Sequence, residues 1–274
     1  MPEETTASDN PRVPTSPWQR RIQRAQELID RHRFAAEILN FYVEIVRFQE
    51  QFHAELHHKS IPPAFFDADL GPGALPQLVS FFPRFLDVVQ RRGPTPLADL
   101  AKQLHADTDA MSVLLLEAWR ASAATDAAVY LAQAFLQPYA EMIRSRVQPS
   151  AASSSHATCP YCHRKPTLGV LRQMSEGAAR SLVCSFCLAE WNFRRLVCPG
   201  CGEENDRMLS VFTATDFDYI RVECCSSCKT YIKTIDLTKN GRAEPIVDEL
   251  ASIPLDLWAQ ERGYAKLRQN ILGM

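Results

Sequence analysis

The sequence of 274 residues predicts an α+β protein, with helices in its first half and small cysteine-rich β modules in its second. Three observations support this. Apolar residues recur at helical spacing before residue 148, all nine cysteines lie after residue 158, and a small, polar stretch separates the two regions. The hydrophobic content of 46% is ample for a core, and the length suggests about two domains.

The first half, residues 18–147, is predicted to form a helical domain. From Phe34 to Leu56 the apolar residues follow three-and-four spacing, which is typical of one buried helical face. Residues 67–73 break this pattern, and Leu75 to Val89 rebuild it. Two long amphipathic helices are therefore expected here.

Three further helices complete the predicted helical domain. Thr95 and Pro96 begin the first of them, because threonine caps free amides and proline fits the first turn. The other two span about 108–121 and 126–146. Pro138 falls inside the last and is expected to kink or divide it, since proline removes a backbone donor.

The histidines of this half suggest a metal site only weakly. His53 and His57 are one helical turn apart, but no acidic residue completes a zinc-protease pattern. His58 follows directly, and His32 and His105 stand alone. We interpret these histidines as surface residues beside an apolar face.

The cysteines of the second half predict two metal sites. Eight of the nine form Cys-x-x-Cys pairs, and each such turn presents two thiolates from one tight loop. Two turns can supply the tetrahedral coordination that Zn²⁺ prefers, so four pairs make two sites. The pairs are Cys159/Cys162, Cys184/Cys187, Cys198/Cys201 and Cys225/Cys228.

The spacing of the pairs favours sequential sites. Intervals of 21 and 23 residues separate the first pair from the second and the third from the fourth, whereas only 10 residues lie between. Each long interval is sufficient for a two-stranded hairpin. The first two pairs are expected to share one metal and the last two another. An interleaved arrangement, in which the first and third pairs share a metal, remains open.

The ninth cysteine, Cys224, is predicted to be a free thiol. Cys225 and Cys228 repeat the two-residue gap of the other pairs, whereas Cys224 would need a gap of three.

The second half is predicted to contain two modules, at 159–197 and 198–240, and a C-terminal helical segment at 241–274. Residues 148–158 are expected to be a linker, and residues 1–17 a disordered N-terminus. β-Forming residues predict strands at 168–174, 180–183, 208–213, 219–223 and 231–237, and a helix at about 246–263 that is interrupted at Pro254.

The expected compartment is the cytoplasm, with reduced cysteines. The first 17 residues contain no apolar region typical of a secretion signal, and no run of about 18 apolar residues predicts a membrane span. Residues 159–240 contain 11 Lys and Arg against 9 Asp and Glu. The formal charge of this region is therefore +2, and eight thiolates with two divalent metals would change it to −2. A negative charge argues against nucleic-acid binding.

The metal itself is not determined by the ligands. Gly202 follows the third pair and allows backbone amides to point at sulfur without Cβ strain, whereas His163, Leu188 and Lys229 occupy the equivalent positions. Four thiolates suit zinc or a rubredoxin-like iron equally well. Zinc is the expected metal at both sites, and iron is the alternative.

Three segments resemble a known family. They are Cys184-Ser-Phe-Cys-Leu-Ala-Glu-Trp-Asn-Phe-Arg-Arg-Leu-Val-Cys-Pro-Gly-Cys201, Cys225-Ser-Ser-Cys-Lys-Thr-Tyr-Ile-Lys233 and Asp248-Glu-Leu-Ala-Ser-Ile-Pro-Leu-Asp256. They closely resemble the FdhE family of formate dehydrogenase accessory proteins, with the specific match covering about 159–264.

The resemblance implies a cytoplasmic assembly factor that binds the catalytic subunit of formate dehydrogenase and has no classical active site. It also implies that the eight paired cysteines are metal ligands in two rubredoxin-like folds. Cys224 has no counterpart in the family pattern. A transcription-associated zinc ribbon is disfavoured by charge.

The segment between the two sites has two interpretations. Trp191 could cap the first metal hairpin through burial. Alternatively Trp191, Arg194 and Arg195 form a partner-binding surface, since aromatic residues and arginine dominate binding hot spots.

Two functions follow from the metals. In the first, a non-enzymatic chaperone uses structural metals, and chelation unfolds 159–240 while the helices persist. In the second, one or both sites hold iron and pass electrons to the client enzyme or protect it.

Overall fold

The computed structural model describes residues 16–59, 66, 70–71, 73–121, 126–147 and 157–274. Most of the predicted disordered N-terminus and of the predicted linker lies outside these residues. Within them the chain has helices first, then a sheet, then two short helices, so the predicted α+β class is confirmed. The predicted domain boundaries stay a prediction.

Six α-helices precede the sheet in the described part of the chain. A 3₁₀ turn at Arg33–Ala35 separates the first two. The helices are α1 (Pro17–Arg31), α2 (Ala36–His58), α3 (Leu75–Arg92), α4 (Thr95–His105), α5 (Thr108–Arg120) and α6 (Ala127–Arg146).

Aromatic rings from α2, α3 and α6 form the centre of the helical core. Phe52 stacks on Phe135 with ring centroids 4.8 Å apart, and Phe82 and Phe85 contact the same ring. Phe52, Phe82 and Phe85 belong to the buried faces predicted from the apolar spacing. Phe34 is an exception, because it lies in the 3₁₀ turn and is 56% exposed.

Pro138 does not divide α6, which runs without a break from Ala127 to Arg146. Proline has no N–H, so the carbonyl of Ala134 one turn earlier loses its helical donor. The side-chain amide of Gln49 on α2 donates to this carbonyl at 2.7 Å. A neighbouring helix therefore satisfies the acceptor that the proline leaves open, which explains why the predicted division does not occur.

The sheet contains both cysteine-rich hairpins. Its strand order is β3-β2-β1-β6-β5-β4, with β7 pairing beside β6. The strands are β1 (Pro166–Gln173), β2 (Ala178–Cys184), β3 (Glu190–Asn192), β4 (Leu209–Ala214), β5 (Phe217–Cys225), β6 (Thr230–Asp236) and β7 (Ala265–Lys266).

A parallel pairing of β1 with β6 joins the two hairpins into one sheet. The sequence predicts two tandem modules but not this junction. Gly169 lies opposite Thr234 in it, and a Cβ at Gly169 would lie only 2.4 Å from Thr234 Oγ1. The absence of a side chain at residue 169 therefore lets the two strands approach.

Substitution Gly169→Ala should destabilise the protein by about 1–3 kcal/mol, because the added methyl group overpacks the junction. Thermal or urea unfolding of metal-loaded protein measures this loss. The double substitution Gly169→Ala, Thr234→Ala removes the clashing hydroxyl and methyl groups and should recover part of the loss. A double variant no more stable than Gly169→Ala would show that the close contact is not the cause.

The C-terminal helices α7 (Pro245–Ala251) and α8 (Ile253–Glu261) pack on the sheet, with the break at Ser252, close to the predicted Pro254. They supply Glu249 and Asp256 to a group of buried charges that also contains Lys233 of β6 and Lys266 of β7.

We call these four residues the buried charge cluster. Lys233 Nζ lies 2.6 Å from Asp256 Oδ2 and 3.0 Å from Glu249 Oε1, and Lys266 pairs with both carboxylates. Tyr231 donates to Asp256 at 2.8 Å. The two positive and two negative charges balance, so the sheet and both helices are joined without an unpaired buried charge.

A second buried pair ties the first helix to the same region. Arg24 of α1 binds both carboxylate oxygens of Asp248, at 2.6 and 3.0 Å, and Tyr219 donates to the same carboxylate.

The described helices include none that is both long and apolar enough to cross a membrane.

Candidate metal centres

The first group of sulfurs lies at the base of the β1–β2 hairpin. Cys159 and Cys162 precede β1, Cys184 ends β2, and Cys187 follows in the next turn. The Sγ atoms of Cys162 and Cys184 lie 3.3 Å apart, and those of Cys159 and Cys187 lie 3.5 Å apart. All four lie within 4.8 Å of one another. We call this group site 1.

The second group, site 2, repeats this arrangement at the base of the β4–β5–β6 unit. Cys198 and Cys201 precede β4, Cys225 ends β5, and Cys228 lies in the turn before β6. The distances from Cys198 to Cys228 and from Cys201 to Cys225 are both 3.7 Å between sulfurs. The pairs therefore group sequentially, not in the interleaved arrangement.

Both groups fit one tetrahedral metal ion each. A metal–sulfur distance of about 2.3 Å requires sulfurs about 3.8 Å apart, and the distances in site 2 are close to this value. Site 1 is slightly more compact. Four thiolates would hold zinc or iron in this geometry, and the ligand set does not distinguish them. The two Cys₄ groups could therefore bind two metal ions.

Each Cys-x-x-Cys turn is followed by a residue in the left-handed backbone region. The φ angle is 80° at Gly202, and 58°, 52° and 56° at His163, Leu188 and Lys229. The same turn is thus formed with and without glycine. Strain at three non-glycine residues is tolerated because the surrounding hairpins fix the turn.

Backbone amides point at the first sulfur of three turns. The amides of Tyr161, Phe186 and Gly200 donate to Cys159, Cys184 and Cys198, at 3.5, 3.4 and 3.3 Å. These bonds disperse negative charge on the sulfurs, as outer hydrogen bonds do at metal sites generally.

Site 2 also has a hydroxyl neighbour that the sequence analysis missed. Thr230 Oγ1 lies 3.0 Å from Cys228 Sγ. A Cβ at Gly200 would lie 2.9 Å from the same hydroxyl, so Gly200 leaves the space that Thr230 occupies. No spacing rule links Gly200 to Thr230, because these two residues are thirty apart in the chain.

The thiol pKa values separate within each group when no metal is bound. At site 1, hydrogen bonds from Cys159 and its neighbours lower the pKa of Cys162, whereas burial raises that of Cys184. At site 2, burial raises the pKa of Cys198 to about 12. Burial also opposes ionisation of Cys228, but hydrogen bonds from Thr230, Cys201 and Cys225 together outweigh it and lower the pKa to about 7.

The two sites differ in burial. At site 1, Cys159, Cys184 and Cys187 are fully buried and belong to the same hydrophobic core as the helices. At site 2, Cys201 is exposed and Cys228 is partly exposed. Solvent therefore reaches site 2 more readily than site 1.

Arg164 connects site 1 to the helices. Its guanidinium donates to the carbonyls of Ala118, Trp119 and Ala121 at the end of α5, at 2.7–3.0 Å. It also lies 3.6 Å from the ring centroid of Phe186. An arginine here donates to the carbonyls of a helix C-terminus, two of which also accept from Gln133, and places a positive charge beside the sulfurs.

Cys224 lies outside both sulfur groups. It is buried in the apolar packing beneath β5, where burial raises the pKa of its thiol to about 11. Each group of four sulfurs forms without Cys224, in agreement with the prediction that Cys225, not Cys224, pairs with Cys228.

The three residues predicted to contact a partner have different environments. Trp191 lies on β3 and is buried, with 7% of its surface exposed, which favours the structural interpretation. Arg194 is exposed and pairs with Glu204 at 2.5 Å, and Arg195 is exposed. A role of Trp191, Arg194 and Arg195 in partner binding stays a prediction.

The histidines join no ligand group in the described part of the chain. The rings of His53 and His57 lie 4.6 Å apart, without an acidic third ligand. The interpretation of His32 as a surface residue is wrong, because it is buried and stacks on Phe217 at 4.9 Å.

The fold and the two sulfur groups define a class of protein, a helical bundle packed against a shared sheet that contains twin tetrathiolate sites. Two family models match the second half, "FdhE, central domain" over residues 158–195 and "FdhE, C-terminal domain" over residues 197–272. The chain is 30% identical over 251 residues to the Protein FdhE homolog of Aquifex aeolicus, covering 86% of this chain and 88% of that protein. The chain belongs to the FdhE family.

Two further comparisons agree with this. A Protein FdhE homolog of Haemophilus influenzae is 26% identical over 276 residues, covering 94% of this chain and 88% of the relative. The crystal structure of the FdhE protein from Pseudomonas aeruginosa has the same fold, with a TM-score of 0.66 and 24% identity, and the match covers 94% of this chain and 96% of that one.

Proposed function

We propose that the protein is a cytoplasmic, non-catalytic accessory factor that binds the catalytic subunit of formate dehydrogenase during its assembly. The observation that carries the proposal is membership of the FdhE family over almost the whole chain, including both Cys₄ groups. Tyr231, Lys233 and Asp256 of the motifs make buried structural contacts with one another.

The metal ions have a structural role in this proposal. Eight cysteines would hold two ions, with zinc as the preferred metal, and each ion would fix one hairpin of the shared sheet. One residue beside the sulfurs supports each site. Arg164 links site 1 to the end of α5, and the hydroxyl of Thr230 contacts Cys228 at site 2. Structural tetrathiolate sites contribute folding free energy directly.

The test is a binding measurement with the purified catalytic subunit of formate dehydrogenase from the same source. Metal-loaded protein should bind the subunit, and deletion of the gene should reduce formate dehydrogenase activity in cells until the wild-type gene is restored. Absence of both effects would reject the assembly role.

A rubredoxin-like iron protein that acts on or protects the enzyme is the second candidate. The hydrogen bonds that the backbone amides of Tyr161, Phe186 and Gly200 donate to sulfur are compatible with it, because such bonds would tune the potential of an iron–thiolate site. Anaerobically purified protein that contains iron and turns red in air would support it. Colourless protein with two zinc ions would reject it.

A further inference from the structure

The chain ends in a segment that runs from site 2 to the helical half. We call this segment, residues 264–274, the strap. It follows α8, supplies β7 to the sheet, and then continues in bends and turns. β7 pairs in parallel with the start of β6, where Ala265 lies opposite Thr230. Because β6 begins just after the second Cys-x-x-Cys turn of site 2, the strap starts beside that turn.

The near end of the strap is bonded to this turn. The amide of Ala265 donates to the carbonyl of Lys229 at 2.8 Å. Lys229 is the left-handed residue directly after Cys228, so the turn that holds this sulfur also sets the direction of the carbonyl. The Lys229 ammonium lies 5.6 Å from the ring centroid of Tyr264, and the Tyr264 hydroxyl lies 3.3 Å from that of Ser226. A shift of the turn would therefore move the acceptor of a strap hydrogen bond.

The strap also reaches the first Cys-x-x-Cys turn of site 2. A Cβ at Gly200 would lie 3.2 Å from Leu267 Cδ1, so the Leu267 side chain packs on the turn between Cys198 and Cys201. The amide of Leu267 donates to the carbonyl of Tyr231 at 2.8 Å. The strap thus contacts both of the turns that a metal at site 2 would hold together.

The middle of the strap is fixed by the buried charge cluster. Lys266 belongs to this cluster and pairs with both of its carboxylates. The side-chain amide of Asn270, which is also buried, donates to Glu249 at 3.0 Å. The strap is therefore a braced connection, and a displacement at one end is passed to the other through fixed residues.

The far end of the strap lies against the helices. Tyr130 of α6 donates to the side chain of Gln269. The ring of Tyr130 also packs on Gly273, where φ is 77° and an added Cβ would lie 3.3 Å from the ring. Ile271 and Leu272 are half-buried against the hydrophobic core of the helical half. The strap therefore joins site 2 to the helices.

This far contact is not close-packed. A cavity of about 250 Å³ remains between the strap and helices α2, α4 and α6, and its side chains are apolar apart from Asp126 and Tyr130. Side chains that border a cavity lose part of their dispersion contacts, so the helices hold the strap less firmly than a filled core would. The anchor at site 2 therefore has a large share in keeping the strap seated.

We infer that the strap couples site 2 to the helical half, so that a metal at site 2 seats the strap on α2 and α6. A metal would fix both turns, and with them the carbonyl of Lys229 and the surface beneath Leu267. Loss of the metal frees the turns, and Ile271 and Leu272 then leave the helices more often. Coupling between two sites is reciprocal, so the seated strap in turn strengthens metal binding at site 2.

Hydrogen exchange of full-length Cys201→Ser protein, with zinc retained at site 1, tests the first half of this coupling. Amides of residues 269–273, at the far end of the strap, should exchange at least about fivefold faster than in zinc-loaded wild type. Amides of α3 serve as the internal reference and should keep their rates. Faster exchange confined to residues 264–267 would show that the far end is not coupled to site 2, and would overturn the inference.

Zinc affinity tests the reverse direction, by competition with a chelator of known affinity. Site 2 is the binding step that Cys201→Ser removes. Leu272→Ala, at the far end of the strap, should weaken this step about fivefold or more. The matched control is Leu104→Ala on α4, which truncates another half-buried leucine of the same core and should bind zinc like wild type. Equal affinities of the two variants would contradict the coupling.

A third variant tests whether the effect travels through the strap. Ala265→Pro removes the amide that donates to Lys229, because proline has no N–H, and should itself weaken zinc binding at site 2. Once this link is cut, adding Leu272→Ala should cause no further loss of affinity. If Leu272→Ala weakens binding equally with and without Ala265→Pro, the strap does not carry the coupling. Circular dichroism establishes that each variant is folded.

Discussion

Substitution Cys187→Ser at site 1 is expected to unfold most of the protein, including its helices. The sulfur of Cys187 is fully buried in the hydrophobic core that contains α2, α3 and α6. Structural zinc contributes about 10–16 kcal/mol to folding in small peptides, and the total stability of a protein is only about 5–15 kcal/mol. A zinc ion held at site 1 would therefore supply most of the available stability, and the substitution would remove it.

Far-UV circular dichroism, limited proteolysis and metal analysis measure this effect. The matched variant is Cys201→Ser, which removes an exposed ligand of site 2 and should leave the helices folded. Cys224→Ala should keep both metals, since Cys224 lies outside the sulfur groups. A Cys187→Ser protein with the wild-type helical signal and melting temperature would contradict the prediction.

This expectation differs from the one that the sequence supports, in which chelation unfolds residues 159–240 while the helices persist. The difference arises from packing. Phe186 contacts Trp119 of α5, and Arg164 binds the carbonyls at the end of the same helix. Site 1 and the helical bundle share one core, so they are expected to unfold together.

Substitution Lys233→Met should destabilise the protein by about 3–5 kcal/mol. Lys233 is fully buried, and its removal leaves Glu249 and Asp256 with only Lys266 to balance them. An uncompensated buried carboxylate costs far more than the net contribution of an intact ion pair. Urea unfolding of metal-loaded protein measures the loss.

The control is Lys239→Met, which removes an exposed lysine that donates to the carbonyl of Asp218. A change within about 0.5 kcal/mol is expected there. A Lys233→Met protein as stable as this control would show that the buried charge cluster makes no net contribution.

The buried charge cluster also predicts a loss of stability in acid. Burial favours the neutral form of Glu249, but the positive charges of Lys233 and Lys266 outweigh it and lower the pKa to about 2. A carboxylate with a lowered folded-state pKa stabilises the protein above its unfolded value of about 4.3. This stabilisation is lost as the pH falls from about 4.3 to 2, and a pH series of unfolding measurements should show a smaller loss for Lys233→Met.

The sequence predicts the repeated features of the molecule well. Helical spacing identifies α2 and α3, and the Cys-x-x-Cys intervals give the grouping of the sulfurs. Contacts between distant residues are not encoded in any local pattern. The donation from Gln49 to the carbonyl that Pro138 leaves open, and the approach of Gly169 to Thr234, each depend on tertiary packing.

Charged residues show the same limit. Lys233 and Asp256 look like ordinary polar residues in the sequence, yet both are buried and paired. In the sequence, only their position in segments that resemble the FdhE family indicates that Lys233 and Asp256 are important. Resemblance therefore identifies which residues matter before the structure explains why.

The parallel pairing of β1 with β6 affects how the protein folds as it is synthesised. The two strands are adjacent in the sheet but about sixty residues apart in the chain. At synthesis rates of about 5–20 residues per second, the inner edge of the first hairpin waits about 3–12 seconds for its partner strand. The growing chain therefore exposes an apolar strand edge on the ribosome, and the sheet closes only after the final cysteine pair has emerged.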